Sequence, residues 1–85
     1  MTDEQKAILE SIRARIELAK AQGDGTKTAE MNMQFLIHAP ILQSLDFAEV
    51  MKELGLSDSF KTELSKMVNL YKQLKLNGIS LTKTF

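Results

Sequence analysis

The sequence predicts an all-α protein, a compact bundle of four to five short helices whose last two form a helix-turn-helix-like pair. Three observations lead there. Apolar residues recur at three- and four-residue intervals through most of the chain. Glycines stand where helices should stop, at Gly23, Gly55 and Gly78. No stretch before Ile79 alternates apolar and polar residues as a half-buried strand would.

The first helix is expected over residues 3–22. Thr2 and Gln5 have the spacing of a capping box, and Gly23 supplies the stop. Ile8, Leu9, Ile12, Ile16 and Ala19 fall on one apolar stripe. Lys6, Glu10, Arg13, Glu17 and Lys20 alternate in sign at spacings that support a solvated helix face by about 0.2–0.5 kcal/mol per pair. A second, weaker stripe of Ala7, Ala14, Leu18 and Ala21 points elsewhere. Contact on two sides would explain it, and so would alanine's helix propensity.

Gly23-Asp24-Gly25-Thr26 reads as a turn. A second helix is expected from Thr28 to His38, with Ala29, Met33, Leu36 and Ile37 on one face and Met31 and Phe35 beside it. Pro40 breaks the path, since it lacks an N–H and its ring clashes with the carbonyl four residues back. Ile41, Leu42 and Leu45 then suit a short helix with Pro40 in its first turn. Asp46 with Glu49 signals another N-terminus, opening a helix over residues 47–54 with Phe47, Val50, Met51 and Leu54 inward. After Gly55-Leu56 and the turn Ser57-Asp58-Ser59, a final helix is expected from Phe60 to Leu76. Its stripe is Phe60, Leu64, Met67, Tyr71 and Leu74, with Val68 on the shoulder. Asn77-Gly78 ends it, and residues 79–85 read as an extended tail.

Eighty-five residues suit one domain, 1–85, with a core of limited size. Without cysteine there is no disulfide and no thiolate metal site, and a lone histidine, His38, cannot build an imidazole-rich one. No metal and no cofactor is therefore expected. The polar start Met1–Gln5 has neither the basic region nor the apolar core of an export signal. The longest uncharged run, the fifteen residues Met31–Leu45, is too short and too polar to cross a membrane. A soluble cytoplasmic protein is the expectation.

For catalysis, His38 is the one candidate acid–base group, and a place at a helix end satisfying free carbonyls accounts for it without chemistry. Gly23-Asp24-Gly25 lacks both the preceding strand and the following Gly-Lys-Ser/Thr of a phosphate loop. No enzyme is predicted.

Two binding readings remain. The first is a protein–protein interaction or regulatory module acting as a homodimer. The uncharged run carries apolar residues on more than one side of its helix, more than a small core can take up. Ile12, Ile16, Met31, Met33, Phe35 and Ile37 are its expected interface. The second is a DNA-binding regulator in which residues 47–76 form the helix-turn-helix. Ser59, Lys61, Thr62 and Ser65 lie at the start of the last helix, where base edges would be met, and Lys61, Lys72 and Lys75 share one flank. From Ser59 to Phe85 there are five lysines and one acid, whereas Asp46 to Asp58 holds four acids and one lysine. The absence of arginine after Arg15, and a neutral net charge, weigh against a strongly electrostatic nucleic-acid binder.

Overall fold

Helix α1, Asp3–Gln22, starts where a reciprocal cap closes its first turn. Thr2 Oγ1 accepts from the Gln5 N–H at 3.1 Å, and Gln5 Oε1 accepts from the Thr2 N–H at 3.0 Å. It stops at Gly23, whose φ of 68° is the left-handed conformation that a side chain disfavours. The computed structural model describes residues 1–23 and 25–80.

Helix α2, Lys27–Ile37, begins one residue before the expected Thr28 and ends one before the expected His38. His38 leaves the helical conformation (φ −99°, ψ 10°), because Pro40 has no N–H to continue α2 and its ring would clash with the Leu36 carbonyl. Its main chain joins two helices: its N–H donates to the Gln34 carbonyl, and its own carbonyl accepts from Ile41 and Leu42. The short α3, Ala39–Leu42, thus carries Pro40 in its first turn, where no N–H is missed.

Asp46 caps α4, Phe47–Leu54, by accepting from the N–H groups of Ala48 (2.9 Å) and Glu49 (3.4 Å). At the far end, Leu56 N–H reaches the Met51 carbonyl and Gly55 N–H the Lys52 carbonyl, the paired bonds of a Schellman motif. A single 3₁₀ turn, Asp58–Phe60, follows. It delays the start of α5, Lys61–Leu76, by one residue relative to the expected Phe60. Ile79 and Ser80 have no regular structure, and the rest of the expected tail, 81–85, lies outside the described residues.

The bundle forms because these helices share one apolar interior. α1 lies against α2 and α4, while α5 packs against α2, α3 and α4. Leu9, Ile12 and Ile16 from α1 meet Met31 and Phe35 from α2, Ala39 and Leu42 from α3, Val50, Met51 and Leu54 from α4, and Leu64 and Val68 from α5. Ile8, Phe47, Phe60, Met67 and Tyr71 pack against this cluster with their outer parts in solvent. Val68 is therefore deeper than its shoulder position suggests, because α5 turns the Leu64–Val68 side inward.

The face that α2 buries differs from the expected one. Met31, Gln34 and Phe35 point inward, whereas Ala29, Met33 and Ile37 point out. Phe35 is the largest fully buried side chain, and Met33 is 50% exposed. With apolar residues all round α2, the side carrying the ring wins, since an aromatic removes the most apolar surface from water. That side also continues past Pro40 into buried Ala39 and Leu42. Phe35→Ala should accordingly cost about 3–5 kcal/mol. Met33→Ala should stay within about 0.5 kcal/mol, as for other surface changes. Urea denaturation of the two variants separates the faces.

Candidate nucleic-acid interface

α4, the turn Gly55–Ser57 and α5 supply the expected helix-turn-helix-like pair, with the 3₁₀ turn Asp58–Phe60 set between turn and second helix. The sharp entry into that turn depends on Gly55, at φ 69°. Ser57 Oγ then accepts from the Ser59 N–H at 3.4 Å, opening the 3₁₀ turn.

The structure treats the five expected nucleic-acid residues differently. Thr62, Ser65 and Lys72 are exposed on the outer side of α5. Ser59 is exposed as well, yet its hydroxyl is engaged with Ser57 Oγ at 3.1 Å and belongs to the turn. Lys61 is half-buried at the first position of α5. It shares a flank with Lys72, three turns further on. Just before it, the Lys27 ammonium of α2 lies 5.7 Å from the centre of the Phe60 ring, at the outer limit of a cation–π contact.

Lys66, Asn69 and Gln73 complete the outer face and were not singled out from the sequence. The signal was present: Thr62, Lys66, Asn69 and Gln73 follow at intervals of four, three and four, the spacing of one helix side. The lone acid of α5, Glu63, lies at the edge of this face. It accepts from Asn32 Nδ2 of α2 at 3.2 Å, and its other oxygen lies 3.6 Å from the Lys66 ammonium. That bond fixes the orientation of the Asn32 amide, since only its NH₂ can meet a carboxylate. Asn32 Oδ1 is then buried with no hydrogen-bond partner among the described residues.

The expected protein interface divides. Ile12, Ile16, Met31 and Phe35 are enclosed by the chain's own helices and present nothing to a partner in this conformation. Met33 and Ile37 stay on the surface. With Leu18, 53% exposed on the second stripe of α1, and Ala29, Met33 lines a shallow groove between α1 and α2. Arg15 and Glu30 close its rim through a 3.0 Å ion pair, and Glu30 Oε1 also accepts from Gln34 Nε2 at 3.1 Å.

His38 is half-buried at the α2–α3 junction. Among the described residues, no three histidine, aspartate or glutamate side chains come together as a metal site would require. No described helix is long and apolar enough to cross a membrane.

A family model for an HTH-like domain matches residues 4–77, and the chain belongs to that family. The match runs from the first turn of α1 to the residue after α5, so it takes in every described helix. No curated protein and no solved structure matches the chain.

Glu63 holds α5 to α2 and pairs with Lys66 at the edge of the outer face. Glu63→Ala should lower stability by about 1 kcal/mol, the usual net worth of one hydrogen bond. Glu63→Gln should recover part of this, which thermal and urea unfolding would show.

Proposed function

We propose that this protein is a non-catalytic cytoplasmic regulator that binds duplex nucleic acid through the outer face of α5. One observation carries the reading: the only acid of α5, Glu63, is held at the edge between Asn32 and Lys66, so the exposed face presents Thr62, Ser65, Asn69, Lys72 and Gln73 beside an ion-paired Lys66. Membership in an HTH-like family supports it. In helix-turn-helix proteins the second helix lies in the major groove, with lysines and hydroxyls beside it on phosphates. Lys61, Lys72 and Lys75 on one flank and Lys66 on the face suit that division of work. The acids of α4, Asp46, Glu49 and Glu53, are exposed and oppose close approach of a phosphate backbone along that helix. Modest affinity with a shallow salt dependence follows from so few cations. In fluorescence anisotropy at low salt, the protein should bind a labelled duplex. Lys72→Ala should weaken binding to all sequences alike and reduce the salt slope by about 0.9, as expected for one lost phosphate contact. Failure to bind any duplex at low salt overturns the proposal.

A second reading, self-association, is favoured by the α1–α2 groove. Leu18 and Met33 are the large apolar side chains left exposed in it, and Ile37 is exposed one turn beyond Met33 on α2. Its rim has a positive group on α1 and a negative one on α2. A two-fold axis along the groove would set α1 over the second copy's α2, joining apolar centres and placing opposite charges face to face. Such a homodimer would also present two α5 helices to a duplex, as paired half-sites require. Sedimentation equilibrium should then give a mass rising toward twice that of one chain at micromolar concentration, and Met33→Glu should hold it at the monomer value. A wild-type monomer throughout removes this reading and leaves the first intact.

A further inference from the structure

The outward row of α5 has a chemistry different from that of an ordinary solvated helix face. On α1 the exposed positions alternate acid and base, as in Glu10, Arg13, Glu17 and Lys20. On α5 the row Thr62, Lys66, Asn69, Gln73 holds one cation, no anion and two adjacent primary amides. Asn69 and Gln73 stand one turn apart on the same side. The bond that Asn77 makes to Gln73 uses the main-chain carbonyl, so the Gln73 amide keeps its donors and acceptor for another partner. Asn69 likewise makes no side-chain hydrogen bond among the described residues and is exposed.

A carboxamide carries a donor and an acceptor side by side, the complement of adenine in the major groove, where N6 donates and N7 accepts. Guanine offers two acceptors there, which suit an arginine or lysine; α5 has no arginine, and Lys66, the one lysine in the row, is ion-paired with Glu63. Residues four apart on a helix are separated by about 6 Å along its axis. Base pairs of a duplex are about 3.4 Å apart. The two amides therefore match bases about two steps apart, a spacing their unequal side-chain lengths can adjust. The deep, narrow major groove of double-stranded RNA would not admit side chains in this way, which leaves B-form DNA.

Resting on the nucleic-acid reading above, we infer that Asn69 and Gln73 make α5 an adenine reader, giving the protein a preference for DNA with A·T pairs about two steps apart in the major groove. Thr62 lies further toward the helix start, where its methyl and hydroxyl groups can meet a thymine methyl or a phosphate. Lys66, between Thr62 and Asn69, is held toward Glu63 at 3.6 Å.

The test uses the full chain, fluorescence anisotropy at low salt, and three labelled duplexes of equal length. One contains A·T pairs within a mixed sequence, one is entirely G·C, and one repeats the first with 7-deazaadenine, which lacks the N7 acceptor. The first duplex should bind about tenfold tighter than the second, within the range of good amide–adenine pairs. The 7-deazaadenine duplex should lose most of that advantage, which a preference based on minor-groove width would keep. Asn69→Ala with Gln73→Ala should lower affinity for the first duplex by more than for the G·C duplex and so erase the difference; both side chains are exposed, and circular dichroism checks the fold. Equal wild-type affinity for all three duplexes overturns the inference and spares the broader reading, as does a uniform loss in the double variant. Absence of binding to every duplex overturns both.

Discussion

Phe35 and Met31 must leave water, and α2 can bury them only by lying between α1 and α5. Both side chains are fully enclosed, together with Ile12 and Leu64 from the neighbouring helices. α2 therefore meets α1 on one flank through the Arg15–Glu30–Gln34 contacts and α5 on the other through Asn32 and Glu63. The remaining helices follow from that placement. Pro40 turns the chain so that Ala39 and Leu42 extend the same apolar interior beside α5. Capped by Asp46 and stopped by Gly55, α4 brings Val50, Met51 and Leu54 up beneath α1.

The same constraint shapes the surfaces. A helix enclosed on two sides still has a third, and on α2 that is Met33 with Ile37, beside Leu18 of α1. Glu63 is engaged by Asn32 and Lys66, and the rest of the outer side of α5 is polar. In the proposed complex with a duplex, the acids beside α5 would limit how closely a phosphate backbone approaches, which would make the polar groups at the centre of α5 more important than total charge.

Much of the fold was legible locally because helix ends are decided by nearby atoms. Thr2 and Gln5 formed the expected reciprocal cap, and Gly23 and Gly55 adopted the left-handed stops. Asp46 capped α4 through the N–H groups of Ala48 and Glu49. The stripe of α1 was equally legible, since four of its five residues, Leu9, Ile12, Ile16 and Ala19, are buried and Ile8 packs at the edge. The face of α2 was not. Periodicity cannot rank faces when Met31, Met33, Phe35, Leu36 and Ile37 surround the helix, and so core residues were grouped with surface ones in the expected interface. On α5, attention to the helix start found Thr62 and Ser65 and passed over Asn69 and Gln73, further along the same side.

What the sequence by itself determined is the set of helices, their caps and stops, and the break at Pro40, because each depends on groups within a few residues of one another. Only the tertiary structure decided which side of α2 faces inward, that Val68 joins the core, and that Glu63 bonds to a residue thirty-one positions earlier. Those outcomes depend on which helices cover which, and competition among apolar faces for one small interior is settled by the whole chain at once.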